Sequence, residues 1–318
     1  MKIAVLVCDG VFDSGLTSVL DVFDTANGMA EELPEAPRWT VTTIGFTAQA
    51  RTSAGLLVDC APVAQAESAD LLVVPAINVR RPEDLVECVS GDRSRPAREL
   101  IANTHARGGA IASACAGTFL LAETGILDHG RATTTWWLAP AFRARYPHVR
   151  LDQGSMVVRQ GTITTAGAAF GHLDLALALL HASSPAVADL VARYLVVDER
   201  PSQAPYIMPS ALAQSDPTVA AFERWVRDRL AEPISLPEAA RRLGVSERTL
   251  QRSVQRTTGT SPIRFVQDLR IERATHLLRT TDLSLETIAH RVGYEQANTL
   301  RALLRERTGK TTTALRTV

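Results

Sequence analysis

Cys115 is the residue whose surroundings most suggest chemistry. Residues 109–121 read Gly-Ala-Ile-Ala-Ser-Ala-Cys-Ala-Gly-Thr-Phe-Leu-Leu, which predicts a buried strand, a tight turn at the cysteine and a helix. This is the elbow that presents a nucleophile in hydrolases, with cysteine as the nucleophile, and a helix N-terminus lowers the pKa of a thiol. The pattern equally fits a small buried cysteine beneath a strand, so both interpretations stay open.

A second set of residues, in the last third of the chain, forms an internal repeat. Ser235-Leu236, Ala240, Arg242 and Gly244 recur 49 positions later, and Thr249-Leu250, Thr258 and Gly259 recur 50 positions later. Each copy predicts a short helix, a turn at a glycine and a second amphipathic helix, with Ser235 and Glu238 at capping-box spacing. The repeat therefore predicts two helix-turn-helix motifs, residues 235–259 and 284–309, whose second helices would enter the DNA major groove.

The charge of the chain separates the two regions. The net charge is zero, but residues 1–200 hold 16 Lys and Arg against 22 Asp and Glu, whereas residues 201–318 hold 18 against 12. An acidic front and a basic back indicate two modules with different partners. The length of 318 residues also favours two domains, and 46% hydrophobic with 21% charged residues excludes a disordered chain.

The elements that would position Cys115 alternate between strands and helices. The predicted strands are residues 2–7, 39–44, 71–74, 110–113 and 162–165, and the predicted helices are 16–26, 96–107, 118–123 and 172–181. This alternation predicts an α/β fold with a parallel sheet covered on both faces. Ligands of such sheets bind at the carboxyl ends of the strands, which here are residues 7–15, 74–79 and 113–117.

The elements of the back half are helical. A helix is predicted over residues 217–230, and another, started by Ser261-Pro262, runs to about residue 278 between the two repeat copies. The latter has two apolar stripes, one of which includes Ile263, as expected of a helix held between two subdomains. Residues 191–216, polar and punctuated by proline, are predicted to link the domains.

The front half resembles the ThiJ/PfpI family, which has the class I glutamine amidotransferase-like fold. The resemblance covers residues 1 to about 185 and rests on Ala114-Cys115-Ala116-Gly117, Leu120–Asp128, Arg131–Thr134, Trp136 and Thr165-Ala166-Gly167. It implies a sensor domain over residues 1–190 with a flavodoxin-like α/β/α sandwich and Cys115 at the elbow.

Three departures from that family bear on catalysis. Thr135 stands where the family often has histidine, Gly15 where many members have a carboxylate, and Pro75-Ala76-Ile77 where a Pro-Gly-Gly turn helps to form the oxyanion hole. A nucleophile needs a base and oxyanion donors, so we expect a small-ligand pocket and assign no catalytic residue. The pocket would comprise Asp13, Gly15, Ala76, Ile77, Cys115, Ala116 and Thr135. The histidines expected to be structural or on the surface are His105, His129, His148, His172 and His181.

The back half resembles the AraC/XylS-type DNA-binding domain, which gives an all-α domain over residues 217–318. The matching stretches are Ala239–Ser246, Leu250-Gln251-Arg252, Thr258–Pro262, Leu269–Ala274, Ile288-Ala289, Val292-Gly293-Tyr294 and Arg307-Thr308-Gly309. Carried over by position, the DNA-binding residues are Arg248, Gln251, Arg252, Arg256, Gln296, Asn298, Arg301 and Arg305. Arg252 is the strongest candidate for a base contact, whereas Arg256, Arg305 and Arg307 suit phosphate contacts.

The sequence thus predicts a cytoplasmic transcriptional regulator that binds double-stranded DNA. Its front domain would sense a small molecule or form a homodimer, and the alternative is a cysteine-dependent hydrolase or hydratase acting through Cys115. The four cysteines lack Cys-x-x-Cys spacing, so we expect no metal site, disulfide framework or cofactor. No apolar run approaches the roughly 20 residues needed to cross a membrane.

Overall fold

The chain divides into two compact units, Met1–Gln203 and Ala204–Val318. The computed structural model describes residues 1–30, 37–79, 81–198 and 200–316. Across these ranges no helix is both long and apolar enough to span a membrane.

The first unit is built on a mostly parallel sheet, which has seven strands within the described residues. In chain order its strands and those of two small sheets are β1 (Lys2–Leu6), β2 (Thr40–Gly45), β3 (Gln49–Arg51), β4 (Leu57–Asp59), β5 (Ala61–Pro62), β6 (Leu71–Val74), β7 (Ala110–Ala114), β8 (Arg131–Ala132), β9 (Arg150–Leu151), β10 (Val157–Gln160) and β11 (Ile163–Ala166). The large sheet has the order β10-β11-β7-β6-β1-β2-β5, and only β10 runs antiparallel to its neighbour. The five predicted strands form its centre.

Helices cover both faces of this sheet because its central strands are apolar on both sides. The helices are α1 (Asp13–Ala30), α2 (Pro82–Ser90), α3 (Arg95–Ala106), α4 (Gly117–Glu123), α5 (Ala139–Arg145), α6 (Gly171–Ser183) and α7 (Pro185–Tyr194). Successive strand residues point to opposite faces: Ile3 and Val5 join the core formed with α1, α6 and α7. Ala4 and Leu6 join the core formed with α2 to α5. The predicted flavodoxin-like α/β/α sandwich is confirmed.

The second unit is helical and has two separate hydrophobic cores. Its helices are α8 (Pro209–Ala213), α9 (Pro217–Arg227), α10 (Leu236–Arg242), α11 (Glu247–Thr258), α12 (Pro262–Thr280), α13 (Leu285–Arg291), α14 (Ala297–Thr308) and α15 (Thr312–Arg316). Phe265 and Leu269 of α12 belong to the core with α9, α10 and α11, whereas Ile271 and Leu278 belong to the core with α13, α14 and α15. The helix shared by two subdomains is confirmed. The predicted place of Ile263 in a buried apolar stripe is wrong, because this side chain precedes the first core and is 73% exposed.

The two repeat copies have matching turns. Gly244 and Gly293, which follow α10 and α13, have φ values of +67° and +80°, a region that glycine adopts without steric strain. Ser246 starts α11 with a side chain that accepts a hydrogen bond from the Thr249 amide at 3.1 Å. Ser235 occupies the N-cap of α10 but makes no such bond, so the predicted capping box does not form.

The boundary between the units lies inside the predicted linker, residues 191–216. Its first part extends the first unit, since Gln203 is fully buried there, and its last part includes α8 of the second unit. Within it, Glu199 is outside the described residues. The segment is therefore shared between the two units and contributes side chains to both.

Candidate ligand site and nucleic-acid interface

Cys115 lies at the turn between β7 and α4, as the sequence predicts. Its φ is +55°, and its carbonyl accepts a hydrogen bond from the Thr134 hydroxyl at 2.7 Å. A Cβ atom at Gly117 would lie 2.5 Å from the Ser113 hydroxyl and 2.7 Å from the Val74 carbonyl, so only glycine fits there. The glycine of this turn is thus required by the close approach of α4 to β6 and β7.

The thiol of Cys115 is protonated at neutral pH. The residue is 7% exposed, and burial raises its pKa to about 12, although the Ala116 amide and the Thr135 hydroxyl oppose this rise. The expectation that the helix N-terminus would lower the pKa is therefore wrong, because burial penalises the charged thiolate. Of the two interpretations left open by the sequence, the buried structural cysteine fits this environment.

His172 of α6 packs against two of the predicted pocket residues, Gly15 and Ala76. Its Nε2 accepts a hydrogen bond from the Ala76 amide at 3.0 Å, and its Nδ1 lies 3.0 Å from the Ala169 carbonyl. These partners require a neutral ring protonated at Nδ1, and burial lowers its pKa to about 4. The Cys115 amide donates to the Ala166 carbonyl at 2.9 Å. The Ala76 and Cys115 amides are thus bonded within the protein, whereas the amide that follows the cysteine, that of Ala116, faces the Cys115 thiol.

The same histidine explains Gly15. A Cβ atom at this position would lie 2.8–2.9 Å from the imidazole of His172, so no carboxylate can stand there while the ring is in place. Asp13, a carboxylate expected in the pocket, accepts hydrogen bonds from the Ser53 hydroxyl at 2.6 Å and from the Ala54 amide at 2.9 Å. The Ser53 bond is the main cause that lowers its pKa, and it directs this Asp13 oxygen towards the 53–54 turn.

The predicted pocket residues come together at the carboxyl ends of β1, β6 and β7. The Phe12 amide donates to the Ala76 carbonyl at 2.8 Å, and Val11 pairs with Ile77. Buried members of the set are Gly15, Ala76, Cys115, Ala116 and Thr135, and half-buried members are Asp13 and Ile77. A small-ligand pocket at this edge stays a prediction.

Gln203 is a buried residue of this region that sequence reasoning missed. Its Nε2 donates to the Thr134 carbonyl at 2.8 Å, and its Oε1 accepts from the Trp136 amide at 3.2 Å. A Cβ atom at Gly167 would lie 2.2 Å from the same Nε2, so the side chain fills the edge beside β11. No signal in the polar stretch around it marks this residue, because all of these partners are distant in sequence.

The residues predicted to contact nucleic acid lie on the exposed surfaces of α11 and α14, or at the N-cap of α14. All eight are exposed: Arg248, Gln251, Arg252, Arg256, Gln296, Asn298, Arg301 and Arg305. The apolar sides of the two helices, which include Leu250 and Leu300, are buried in their respective cores. Each helix therefore presents long polar side chains outward.

Some of these side chains already have partners within the protein. Arg256 pairs with Asp216, the N-cap of α9, at 2.9 Å, and Arg301 donates to the Asn298 side chain at 2.5 Å. Arg307 has only 17% of its side chain exposed and lies 3.5 Å from Asp268, which does not suit the predicted phosphate contact. Arg248, Gln251 and Arg252 remain the best-placed group.

Comparison with known proteins matches each unit separately. Residues 1–182 match the family model described as DJ-1/PfpI family, and residues 239–317 match the one described as helix-turn-helix domain. The HTH-type transcriptional regulator CdhR of Pseudomonas aeruginosa is 31% identical over 183 residues, which cover 56% of this chain and 54% of that protein. The HTH-type transcriptional activator RhaS of Enterobacter sp. is 36% identical over 94 residues, which cover 30% of this chain and 34% of RhaS.

A solved structure extends the comparison to the fold. A putative transcriptional regulator protein from Vibrio parahaemolyticus has a TM-score of 0.52 at 18% identity, covering 61% of this chain and 98% of that chain. This likeness shows the fold alone. The chain spans about half the length of CdhR and about a third of that of RhaS. Both sequence resemblances, to ThiJ/PfpI proteins in front and to AraC/XylS-type domains behind, are confirmed.

Proposed function

This chain belongs to the DJ-1/PfpI family and carries a C-terminal helix-turn-helix domain, and from this combination we propose that it is a sequence-specific DNA-binding transcriptional regulator. The observation that carries the proposal is the tandem arrangement of α10–α11 and α13–α14, each with outward-facing polar residues on its second helix. The names of CdhR and RhaS as HTH-type transcriptional proteins support it. Genomic DNA as the partner would place the protein in the cytoplasm.

In this proposal α11 and α14 are the two recognition helices. The shared helix α12 has 19 residues, which at about 1.5 Å per residue span roughly 28 Å. With its flanking turns, it has the length needed to hold two helices about one DNA turn, roughly 34 Å, apart. Arg248, Gln251 and Arg252 would read base edges through the first copy, and Asn298 with Gln296 and Arg301 would do so through the second.

We assign the first unit a binding role and no catalysis. Cys115 is buried and protonated, and the Ala76 and Cys115 amides donate to groups within the protein. A small molecule at the carboxyl edge of the sheet, or a dimer contact through this unit, would be the input to regulation. Turnover of an amide, nitrile or aldehyde that is lost in Cys115→Ala would contradict this assignment.

The test of DNA binding uses Arg252→Ala in the full chain. The wild type is used to select binding sequences from the DNA upstream of its own gene and from a randomised library. The affinities of the wild type and the variant for the selected sequence are then measured at two salt concentrations. A lost bidentate base contact is worth about 1–3 kcal/mol, so Arg252→Ala should bind the selected sequence about 10- to 100-fold more weakly and tolerate substitutions at one base pair.

The control is Arg224→Ala, which removes the same charge from an exposed position of α9. It should change the affinity for the selected sequence by less than about threefold, as expected for a charge that makes no base contact. If the wild type enriches no sequence and its binding is unaffected by salt, the proposed function is wrong.

A further inference from the structure

Arg270, in the middle of α12, joins the two halves of the second unit. Its Nη1 donates to the Gly293 carbonyl at 3.2 Å, in the turn of the second helix-turn-helix motif. Its Nη2 donates to the Glu232 carbonyl at 2.8 Å, in the loop that leads into the first motif. One planar guanidinium therefore holds two backbone segments that lie 61 positions apart in the chain.

The turn of the second motif is packed directly against that loop. A Cβ atom at Gly293 would lie 2.3 Å from the Leu230 carbonyl and 2.7 Å from Nη2 of Arg270. The φ of +80° at Gly293 is also one that other residues rarely adopt. Glycine is thus required at this position both by the backbone conformation and by the close contact.

These contacts of Arg270, called the clamp below, lie between two cores that, in the described part of the chain, have only α12 in common. Leu269 belongs to the first core and Ile271 to the second, and Arg270 stands between them in the sequence. Its guanidinium also lies over the ring of Tyr294, 5.6 Å from the centroid. Because the fork of an arginine has fixed geometry, two bonds and a stacked ring restrict the angle between the halves more than a single flexible contact would.

We propose that Arg270 is a positioning residue that sets the distance and angle between α11 and α14, so that the protein accepts its two half-sites at only one spacing. This inference rests on the proposed DNA-binding function. Arg270 itself touches no DNA in this scheme. It acts by holding the turn before α14 against the loop before α10, and so the two recognition helices meet the duplex in one register.

The test compares spacing preference in the full-length protein. The DNA sequence selected by the wild type is prepared intact, with one or two base pairs inserted between the half-sites, and with only the half-site read by α11. Arg270→Ala should bind the intact site at least tenfold more weakly and should bind the spacing variants about equally. Its affinity for the single half-site should stay within about twofold, since the first motif is unchanged.

Two further variants separate positioning from folding. Arg270→Lys keeps the charge but cannot form the planar fork, so it should also lose the spacing preference. Arg279→Ala removes one charge from an exposed position of the same helix and should retain that preference. Circular dichroism confirms that each variant keeps its helices.

The outcomes distinguish the role of Arg270 from the DNA-binding function itself. If Arg270→Ala and Arg270→Lys remain folded and discriminate spacings as the wild type does, the clamp is refuted while the DNA-binding function stands. An equal loss on the half-site and on the intact site would assign Arg270 a merely structural role, which also refutes the clamp. If the wild type binds no DNA, both proposals fail.

Discussion

At the scale of single residues, His172 determines what the carboxyl edge of the sheet can do. Its ring accepts the Ala76 amide and contacts the Ala169 carbonyl, and it excludes any side chain at Gly15. A neutral imidazole held on both nitrogens stabilises the fold but is not available as a base. The edge therefore resembles a packed binding surface more than a site prepared for proton transfer.

This histidine gives the free energy of unfolding a defined dependence on pH. Burial lowers its pKa from 6.5 to about 4, so between these pH values the unfolded chain binds a proton that the folded chain rejects. Stability is unaffected above the unfolded value and falls as pH decreases through this window, by up to about 3 kcal/mol. Urea unfolding of the wild type and of His172→Gln at several pH values should show a weaker dependence in the variant.

The control for this prediction is His181→Gln on the same helix. His181 is exposed, so its replacement should leave the pH dependence of the unfolding free energy as it is in the wild type. If the unfolding free energies of all three proteins change with pH in the same way between pH 4 and 6.5, folding does not lower the pKa of His172 and the prediction is wrong.

At the scale of elements, the two helix-turn-helix copies share turns but differ in their caps. The Ser246 and Ser284 side chains each accept the amide three residues on at 3.1 Å, whereas Ser235 makes no cap bond. Sequence similarity between the copies therefore does not mean equal local stability at each helix start.

These caps provide a matched pair of substitutions. Ser246→Ala removes a cap bond and should lower the free energy of unfolding by about 1 kcal/mol. Ser235→Ala removes a hydroxyl that caps nothing and should have a clearly smaller effect. Denaturant unfolding of the full chain, followed by helical circular dichroism, measures both, and equal losses would contradict the role of the Ser246 hydroxyl.

The elements that the sequence predicts are those whose pattern is local. Central strands such as β6 and β7 are buried on both faces and read as apolar runs, and the elbow at Cys115 is marked by adjacent small residues. The short strands β8 and β9 have no such signal. The bond between Ala76 and His172 joins residues 96 positions apart, and the Arg270 clamp depends on two distant carbonyls. Local pattern carries no information about either.

At the scale of the whole molecule, the covalent connection between the units begins at a fixed point. Gln203 is the last residue of the first unit, and its side chain bonds the Thr134 carbonyl. Thr134 in turn donates to the Cys115 carbonyl. The chain thus leaves the first unit two hydrogen bonds away from the elbow, and Ala204 starts the next unit.

Replacing Gln203 should therefore destabilise the first unit. Gln203→Ala leaves the part-buried Trp136 amide and the buried Thr134 carbonyl without this partner, at a cost of about 2 kcal/mol. Thermal unfolding of the full chain should show a lower transition temperature, whereas Gln160→Ala, at an exposed position of β10, should not. A transition equal to that of the wild type would mean that water replaces the side chain without loss.

The contact between Gly15 and His172 also restricts which mutations could place a carboxylate at residue 15. A carboxylate at residue 15 does not fit unless the imidazole is removed, and removing the imidazole alone leaves the buried Ala76 amide without its acceptor. Each single step passes through a less stable protein, and the double replacement avoids both defects only where the new carboxylate accepts the Ala76 amide. Along a path of single mutations, the two positions therefore constrain each other, although 157 positions separate them in the chain.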